Sequence, residues 1–322
     1  MPLHRPITPS VLLPALLAVL LGAAPALHAA PFAYVPNEGS GTISVIDTAT
    51  DEVVAEMPGG SKPRGLAVSR DARWLYVSDQ PNNRLQILNL ERRAPEGTVA
   101  LGESPEGVAL SPDGRWVVAA VEEKHEIVVT DTRTNQRVFA IAVQGRNPEH
   151  AVFSPDGRQL YVSAENGDAV DIIDLAARKQ VAQVTVGARP RGIGFLPDGS
   201  RAYVAAENAN EVFVIDTASR AVVARIPAGL RANGVAVHPN GSRVYISNGG
   251  AASVSVIDTK TNVVVATVGV GQRPWNMALT PDGAKLYVAN GRSGSVSVID
   301  TARNEKLRDI PVGKLPWGVV VR

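Results

Sequence analysis

Three markers keep step along this 322-residue chain. A Tyr-Val pair, Tyr-Ile at Tyr245 and Val-Ala at Val118, starts at Tyr34, Tyr76, Val118, Tyr161, Tyr203, Tyr245 and Tyr287, with steps of 42, 42, 43, 42, 42 and 42 residues. Thirteen residues after each stands Asp47, Asn89, Asp131, Asp174, Asp216, Asp258 or Asp300, in phrases such as VSVIDT. A proline opens the next hydrophobic run at Pro63, Pro105, Pro148, Pro190, Pro274 and Pro316, with Ala232 in its place once. Seven units of this length account for nearly all of the chain beyond its first thirty residues. A fixed period in this range demands an architecture of stacked or radial repeats.

Each unit holds four short β-type runs. In the sixth they read GVAV, RVYIS, SVSVID and VVVATV. Their alternation and Val/Ile content call for strands, and the gaps are turn-sized. No unit contains the long amphipathic stretches of a helical solenoid. The pattern predicts an all-β fold, a seven-bladed β-propeller of four-stranded blades. After the leader the chain opens on FAYVPNEG, a second strand without its first, and ends on PWGVVVR, a first strand without the rest. Residues 316–322 are therefore expected to pair with residues 32–36, closing the ring so that no strand edge stays open. Ser-Pro-Asp-Gly phrases are expected as turns between first and second strands, because proline presets φ and glycine takes the left-handed position. The repeated Asp reads as a turn cap, since a ligand site does not use seven equivalent residues identically.

Composition narrows the function classes. The 32 basic and 31 acidic side chains nearly cancel, so no whole-molecule field favours nucleic acid or an anionic membrane. Cysteine is absent, which excludes disulfides, thiol nucleophiles, Cys-ligated zinc, iron–sulfur clusters and covalently attached haem. Residues 1–30 read as a secretory signal peptide: Arg5, an apolar run from Val11, then small residues. That run is short and broken by Pro14, so it does not span a membrane. The expected division is a signal peptide over 1–30 and a propeller over 31–322, periplasmic in a bacterium.

The YV-x-N…VSVID repeat resembles the YVTN-family β-propellers across all seven units. The opening AYVPNEGSGTISVIDTATDEVVA and the ending VGKLPWGVVV further resemble a branch that accompanies pyrroloquinoline-quinone (PQQ)-dependent alcohol oxidation. The resemblance implies an exported accessory protein, with PQQ a candidate ligand. Several units replace the Thr-Asn of the motif.

Ligands of propellers meet the face that carries the loops from fourth strand to next first strand and from second to third. The first of these loops is here a Pro-x-Gly motif. Its middle residue is expected near the central channel mouth and reads Arg64, Glu106, Glu149, Arg191, Asn233, Trp275 and Trp317 around the ring. The scaffold repeats and this position does not, which is where function is grafted onto a repeat. Lys62, Arg189, Arg231 and Arg273 precede the motif. The mouth is expected to split into an acidic and a basic sector. Guanidinium forks suit carboxylates, and the two tryptophans suit a planar ligand. His150 replaces the glycine of the motif and is read as a mouth residue beside Glu149, a candidate base or metal ligand, or else a polar plug bonded to Glu106 or Glu149. His238 sits in a turn on the opposite face, and His125 in a charged loop on the mouth face. No metal-ligand spacing, nucleophile elbow, Walker loop, H-E-x-x-H or EF-hand loop is present.

Three functions are consistent with this reading. The first is a secreted binding protein that grips a small anionic molecule or a periplasmic partner protein. The second is a lactonase-type hydrolase with its site at the channel mouth. Nucleic-acid binding is the third and is disfavoured by the neutral charge and by export.

Overall fold

The structure, a computed structural model, describes residues 31–322 together with residue 1. The rest of the expected leader lies outside the described residues. Seven antiparallel four-stranded sheets follow one another. The first blade takes its second, third and fourth strands from Phe32–Asn37, Thr42–Asp47 and Glu52–Pro58 and its first from Val320–Val321. Blades 2 to 7 cover residues 63–100, 105–142, 148–185, 190–227, 232–269 and 274–311. Among the described residues the one helical element is a 3₁₀ turn at Gln80–Asn82, and no helix is long and apolar enough to cross a membrane.

The ring closes as expected. Val321 and Val320 pair antiparallel with Ala33 and Tyr34. Phe32 and Arg322 exchange backbone hydrogen bonds of 2.8 and 2.9 Å, and the Trp317 N–H donates to the Pro36 carbonyl at 2.9 Å. Packing completes what the hydrogen bonds begin. The hydrophobic core is divided into seven clusters, each shared by two neighbouring blades. One of them joins Tyr287, Val296 and Val298 of blade 7 to Ala33, Val35 and Val319 of blade 1, so the closing interface is packed like the others.

Second and third strands are buried on both faces, which explains their continuous Val/Ile runs, while fourth strands face solvent. The repeated Tyr is the largest fully buried side chain of blades 2, 4, 5, 6 and 7. Its ring fills the gap between blades: Tyr161 meets Phe195 of the next blade edge-on, with centroids 4.8 Å apart. Tyr203 donates from its hydroxyl to Asn262 of blade 6 at 2.8 Å. In blade 5 tyrosine thus fills an apolar gap while giving Asn262 a donor that phenylalanine would lack.

The turns use the chemistry expected of them. Gly114 takes φ +77°, while Asp113 receives the Arg115 N–H at 2.9 Å and the Ser111 hydroxyl at 2.5 Å. Asp258 caps its turn by accepting the Lys260 and Thr261 N–H groups at 3.0 Å each. The other repeated Asp residues at positions 47, 131, 174, 216 and 300 also cap their turns. His238 holds a turn in the same way, accepting the Asn240 N–H at 3.3 Å.

Candidate functional site at the channel mouth

The Pro-x-Gly glycines are there because neighbouring inner strands touch. A Cβ on Gly65 would lie 2.4 Å from the Glu106 carbonyl oxygen of the next blade; on Gly107, Gly192 and Gly234 the distances to the next blade's carbonyl would be 2.7, 2.6 and 2.5 Å. Buried serines lock these contacts. Ser78 accepts the Gly65 N–H at 2.9 Å and donates to the Glu106 carbonyl at 2.6 Å. The residue before each glycine is therefore pinned at the rim of the channel.

Two blades depart from glycine, and the two departures meet. His150 of blade 4 and Asn276, the residue that replaces glycine in blade 7, line one small chamber. The Trp317 indole stacks on the imidazole, with centroids 5.4 Å apart and planes 15° apart. Trp317 and Asn276 line both the mouth cavity, about 320 Å³, and a smaller chamber beneath it, about 130 Å³. His150 lines only the lower one. It is therefore part of the floor. Burial holds its imidazole below the usual range, against the pull of Glu149. His125 sits in an exposed loop and accepts the Asn147 N–H at 3.3 Å.

The mouth cavity brings together Arg64, Glu106, Glu149, Arg191, Asn233, Trp275 and Trp317 from all seven blades. Arg189 and Arg273 join them, whereas Lys62 and Arg231 are exposed outside. A second ring, which the sequence reading overlooked, supplies the carboxylates that decide the electrostatics. The first residue after each second strand is Glu38, Gln80, Glu122, Glu165, Glu207, Gly249 or Gly291. Each lies four residues after the repeated Tyr-Val start, so the repeat itself carried the signal. The glycines of blades 6 and 7 also have a local cause. A Cβ at Gly291 would lie 2.8 Å from the Trp275 ring, and one at Gly249 3.1 Å from the Arg273 guanidinium.

Acidic and basic groups interleave here in place of the two expected sectors. Arg191 touches Glu149 at 2.6 Å, Glu207 at 2.9 Å and Glu165 at 3.0 Å. Glu207, 1% exposed, also holds Arg273 at 2.9 Å and Arg189 at 3.2 Å. Arg64 pairs with Glu106 and, at 3.2 Å, with Glu38, while Arg189 pairs with Glu165. Five carboxylates thus share four guanidinium groups, apart from the exposed Arg231 at 3.9 Å from Glu207, while Glu122 accepts only the Ser104 hydroxyl, at 2.9 Å.

Their ionisation follows from that imbalance. Burial opposes charge on Glu149, but Arg191 outweighs it and holds the carboxyl below its ordinary range. Burial pushes Glu165 up to about 7, with Glu149 adding to the push against Arg191 and Arg189. Carboxyl oxygens of Glu149 and Glu165 lie within 4.8 Å of each other. Glu106 is held well above the carboxylate range, by burial first and by Glu149 next. Burial also opposes charge on Glu207, and Arg191 with Arg273 reverses it, so that carboxyl stays ionised. Such a pair of unlike carboxyl groups can take and give a proton near neutrality.

Comparison with known proteins agrees with the architecture. Hydrazine synthase of Kuenenia stuttgartiensis contains a similar fold, with a TM-score of 0.78, 26% identity, and coverage of 84% of this chain and 92% of that chain. A functionally unknown protein from Desulfotomaculum acetoxidans DSM 771 has the same TM-score, 0.78, at 17% identity, covering 90% of this chain and 98% of that chain, and shows the fold alone. A search of the curated proteins returns no match. Residues 29–151 are similar to the Cytochrome D1 heme domain. The mouth does not fit a haem iron, because Glu, Arg, Asn, Leu and Trp line it and no His, Cys, Met or Tyr does. Residues 150–311, just over half of the chain, match the family described as Lactonase, 7-bladed beta-propeller, and the chain belongs to that family.

Proposed function

We propose that the channel mouth hydrolyses a small polar lactone. The observation that carries this reading is the Glu149–Glu165 pair, with carboxyl oxygens within 4.8 Å of each other and both in contact with Arg191, at 2.6 and 3.0 Å, inside the cavity. In the proposed reaction a water oxygen attacks the ring carbonyl carbon and its proton passes to the Glu149 carboxylate. The ring C–O bond then breaks, and Glu165 gives its proton to the departing oxygen. The product is the open-chain hydroxy acid. Arg191 stabilises the charge that develops on the carbonyl oxygen. The cavity, about 320 Å³, stands at the small end of ligand pockets, which suits a single ring. Membership of a family described as lactonases supports the same reading.

Turnover of γ- and δ-lactones, followed by acid release, tests it. Glu149→Gln and Glu165→Gln are each expected to lower kcat by about 10²–10⁴-fold. His150→Ala is expected to retain turnover, because the imidazole lies below the Trp317 floor. Full activity in both Glu variants would remove the pair from the mechanism.

A second reading keeps the mouth as a binding site without turnover, in an exported periplasmic accessory protein of PQQ-dependent alcohol oxidation. Trp275 favours it: the indole lines the cavity with the Arg273 guanidinium 5.9 Å from its centroid, a surface for a planar ligand or a partner protein. The excess of carboxylates works against PQQ itself, which carries three more. Stabilisation by PQQ in a thermal-shift assay, without lactone turnover, would favour this reading over hydrolysis. Nucleic acid is the weakest alternative, since the mouth arginines are already paired with glutamates.

A further inference from the structure

We infer that the polar lactone ring carries one apolar substituent, an aryl or short alkyl group, which Trp275 and Leu315 receive across the channel from Glu149 and Glu165. The inference rests on the hydrolytic reading above and names the substrate class for it. In a closed ring of seven, blade 4 faces the junction of blades 7 and 1. The structure shows this crossing, because the Trp317 indole of blade 1 stacks on His150 of blade 4. A lactone whose carbonyl meets Arg191 beside the blade 4 glutamates therefore turns its far side to Trp275 of blade 7 and to Leu315, which leads into the closing strand of blade 1.

That side of the mouth is built differently from the rest. The residue after the second strand is Glu or Gln in blades 1 to 5 but Gly249 and Gly291 in blades 6 and 7. Uncharged side chains make the wall there: Asn233, Trp275, Asn276, Leu315 and Trp317. Arg273 lines it too, but its guanidinium is engaged by Glu207 at 2.9 Å.

Two glycines make room for the apolar side chains. A Cβ on Gly291 would lie 2.8 Å from the Trp275 ring, and one on Gly39 would lie 3.3 Å from Leu315 Cδ1. Neither glycine has a positive φ, so the backbone does not require glycine at either place, and the space is what each supplies. Leu315 is itself an exception. The position before the Pro-x-Gly motif is left-handed in six blades, and in the other five it reads Ser104, Asn147, Arg189, Arg231 and Arg273, all polar. Leu315 adopts φ +51° without a polar atom to bond locally, and it is 41% exposed. An apolar side chain held in a costly backbone conformation, and open to the cavity it lines, points to a ligand with apolar surface. Trp275 adds a broad ring face beside it.

Two pairs of compounds test the inference. γ-Butyrolactone and γ-phenyl-γ-butyrolactone read turnover by acid release. The lactams 2-pyrrolidinone and 5-phenyl-2-pyrrolidinone have the corresponding rings, resist hydrolysis, and read binding by NMR titration. The protein is expected to favour the phenyl member of each pair about tenfold or more, in kcat/KM and in Kd. Trp275→Ala and Leu315→Ser are each expected to cut both preferences about threefold or more. Serine is the residue that blade 3 carries at the Leu315 position, so this variant suits the loop. Leu230→Ser, at an exposed leucine outside the cavity, is expected to leave both preferences unchanged. Equal kcat/KM for the two lactones, or a preference unchanged in both Trp275→Ala and Leu315→Ser, would overturn the inference and leave hydrolysis standing. A phenyl-lactam preference that depends on Trp275 and Leu315, without turnover of either lactone, would sink hydrolysis and keep the apolar subsite. Equal or absent binding of the two lactams, without turnover, overturns both.

Discussion

Glu207→Gln is the sharpest single perturbation of the mouth. The wild-type carboxylate is 1% exposed and faces Arg191 and Arg273, each 13% exposed, at 2.9 Å. Removing one member of a buried ion pair costs about 3–5 kcal/mol, because its partner stays buried without compensation. The two arginines do not suffer equally. Arg191 keeps Glu149 and Glu165, whereas Glu207 is the one acidic partner of Arg273 among the described residues. The loss is therefore set at the lower end, about 3 kcal/mol. An unfolding entropy of roughly 2.1 cal/mol/K per residue gives about 0.6 kcal/mol/K for this chain, so Tm is expected to fall by about 5 °C. Differential scanning calorimetry at pH 7 reads it. Adding 0.5 M NaCl should change the difference little, since buried pairs are weakly screened. Glu91→Gln, at an exposed turn, is the control and should melt within about 1 °C of wild type. A Glu207→Gln protein that also melts within 1 °C of wild type would refute the assignment of Glu207 as the anchor of the arginine cluster.

Other consequences follow from the same geometry. Glu165 has a folded-state pKa of about 7, above its ordinary value, so the folded state holds its proton more tightly than the unfolded chain does. Its contribution to stability is fully present below about pH 4.5 and is lost as pH rises through 7. Glu165→Gln is accordingly expected to match wild type near pH 4.5 and to melt above it at pH 8, by up to about 5 °C; an equal or lower melting point at pH 8 contradicts the reasoning. His150→Gly restores the residue that most sibling blades carry but removes the ring on which Trp317 stacks. Acrylamide quenching of tryptophan emission should rise and Tm should fall by a few degrees, and unchanged quenching would deny His150 its place in the floor. Truncation after Pro311 removes the strand that completes blade 1 and should abolish the single cooperative transition of the full chain.

Much of this was legible because a repeat writes its geometry many times over. The seven steps of the Tyr-Val marker fixed the number of blades, and the incomplete units at the two ends fixed where they join. The Pro-x-Gly motif located Arg64, Glu106, Glu149, Arg191, Asn233, Trp275 and Trp317 at one rim for the same reason. Glu38, Glu122, Glu165 and Glu207 were equally periodic but escaped notice. They sit just beyond a strand, where a charged residue reads as an ordinary solvated turn, and only the fold shows that these turns lean over the channel. His150 was misjudged in depth for a local reason. It follows Glu149 by one residue at a β-bulge between Pro148 and His150, where the extra residue re-aims the side chains that follow, so Glu149 lines the mouth and His150 the chamber below. No sequence signal joined His150 to Asn276, because their encounter spans the ring between blades 4 and 7.

Closure of the ring carries the whole account, since without it the mouth residues do not converge. Phe32 and Arg322 form a hydrogen-bonded pair, which makes Ala33 and Val321 the adjacent non-hydrogen-bonded pair, the closer kind, with Cα atoms about 4.5 Å apart. That spacing lies within disulfide range, and the chain has no cysteine of its own. The double variant Ala33→Cys/Val321→Cys is expected to oxidise fully in the native state, leaving no thiol reactive to Ellman's reagent in denaturant and raising Tm by a few degrees. Two free thiols after oxidation under native conditions would mean that the chain ends do not meet, and the site built on their meeting would be lost with them.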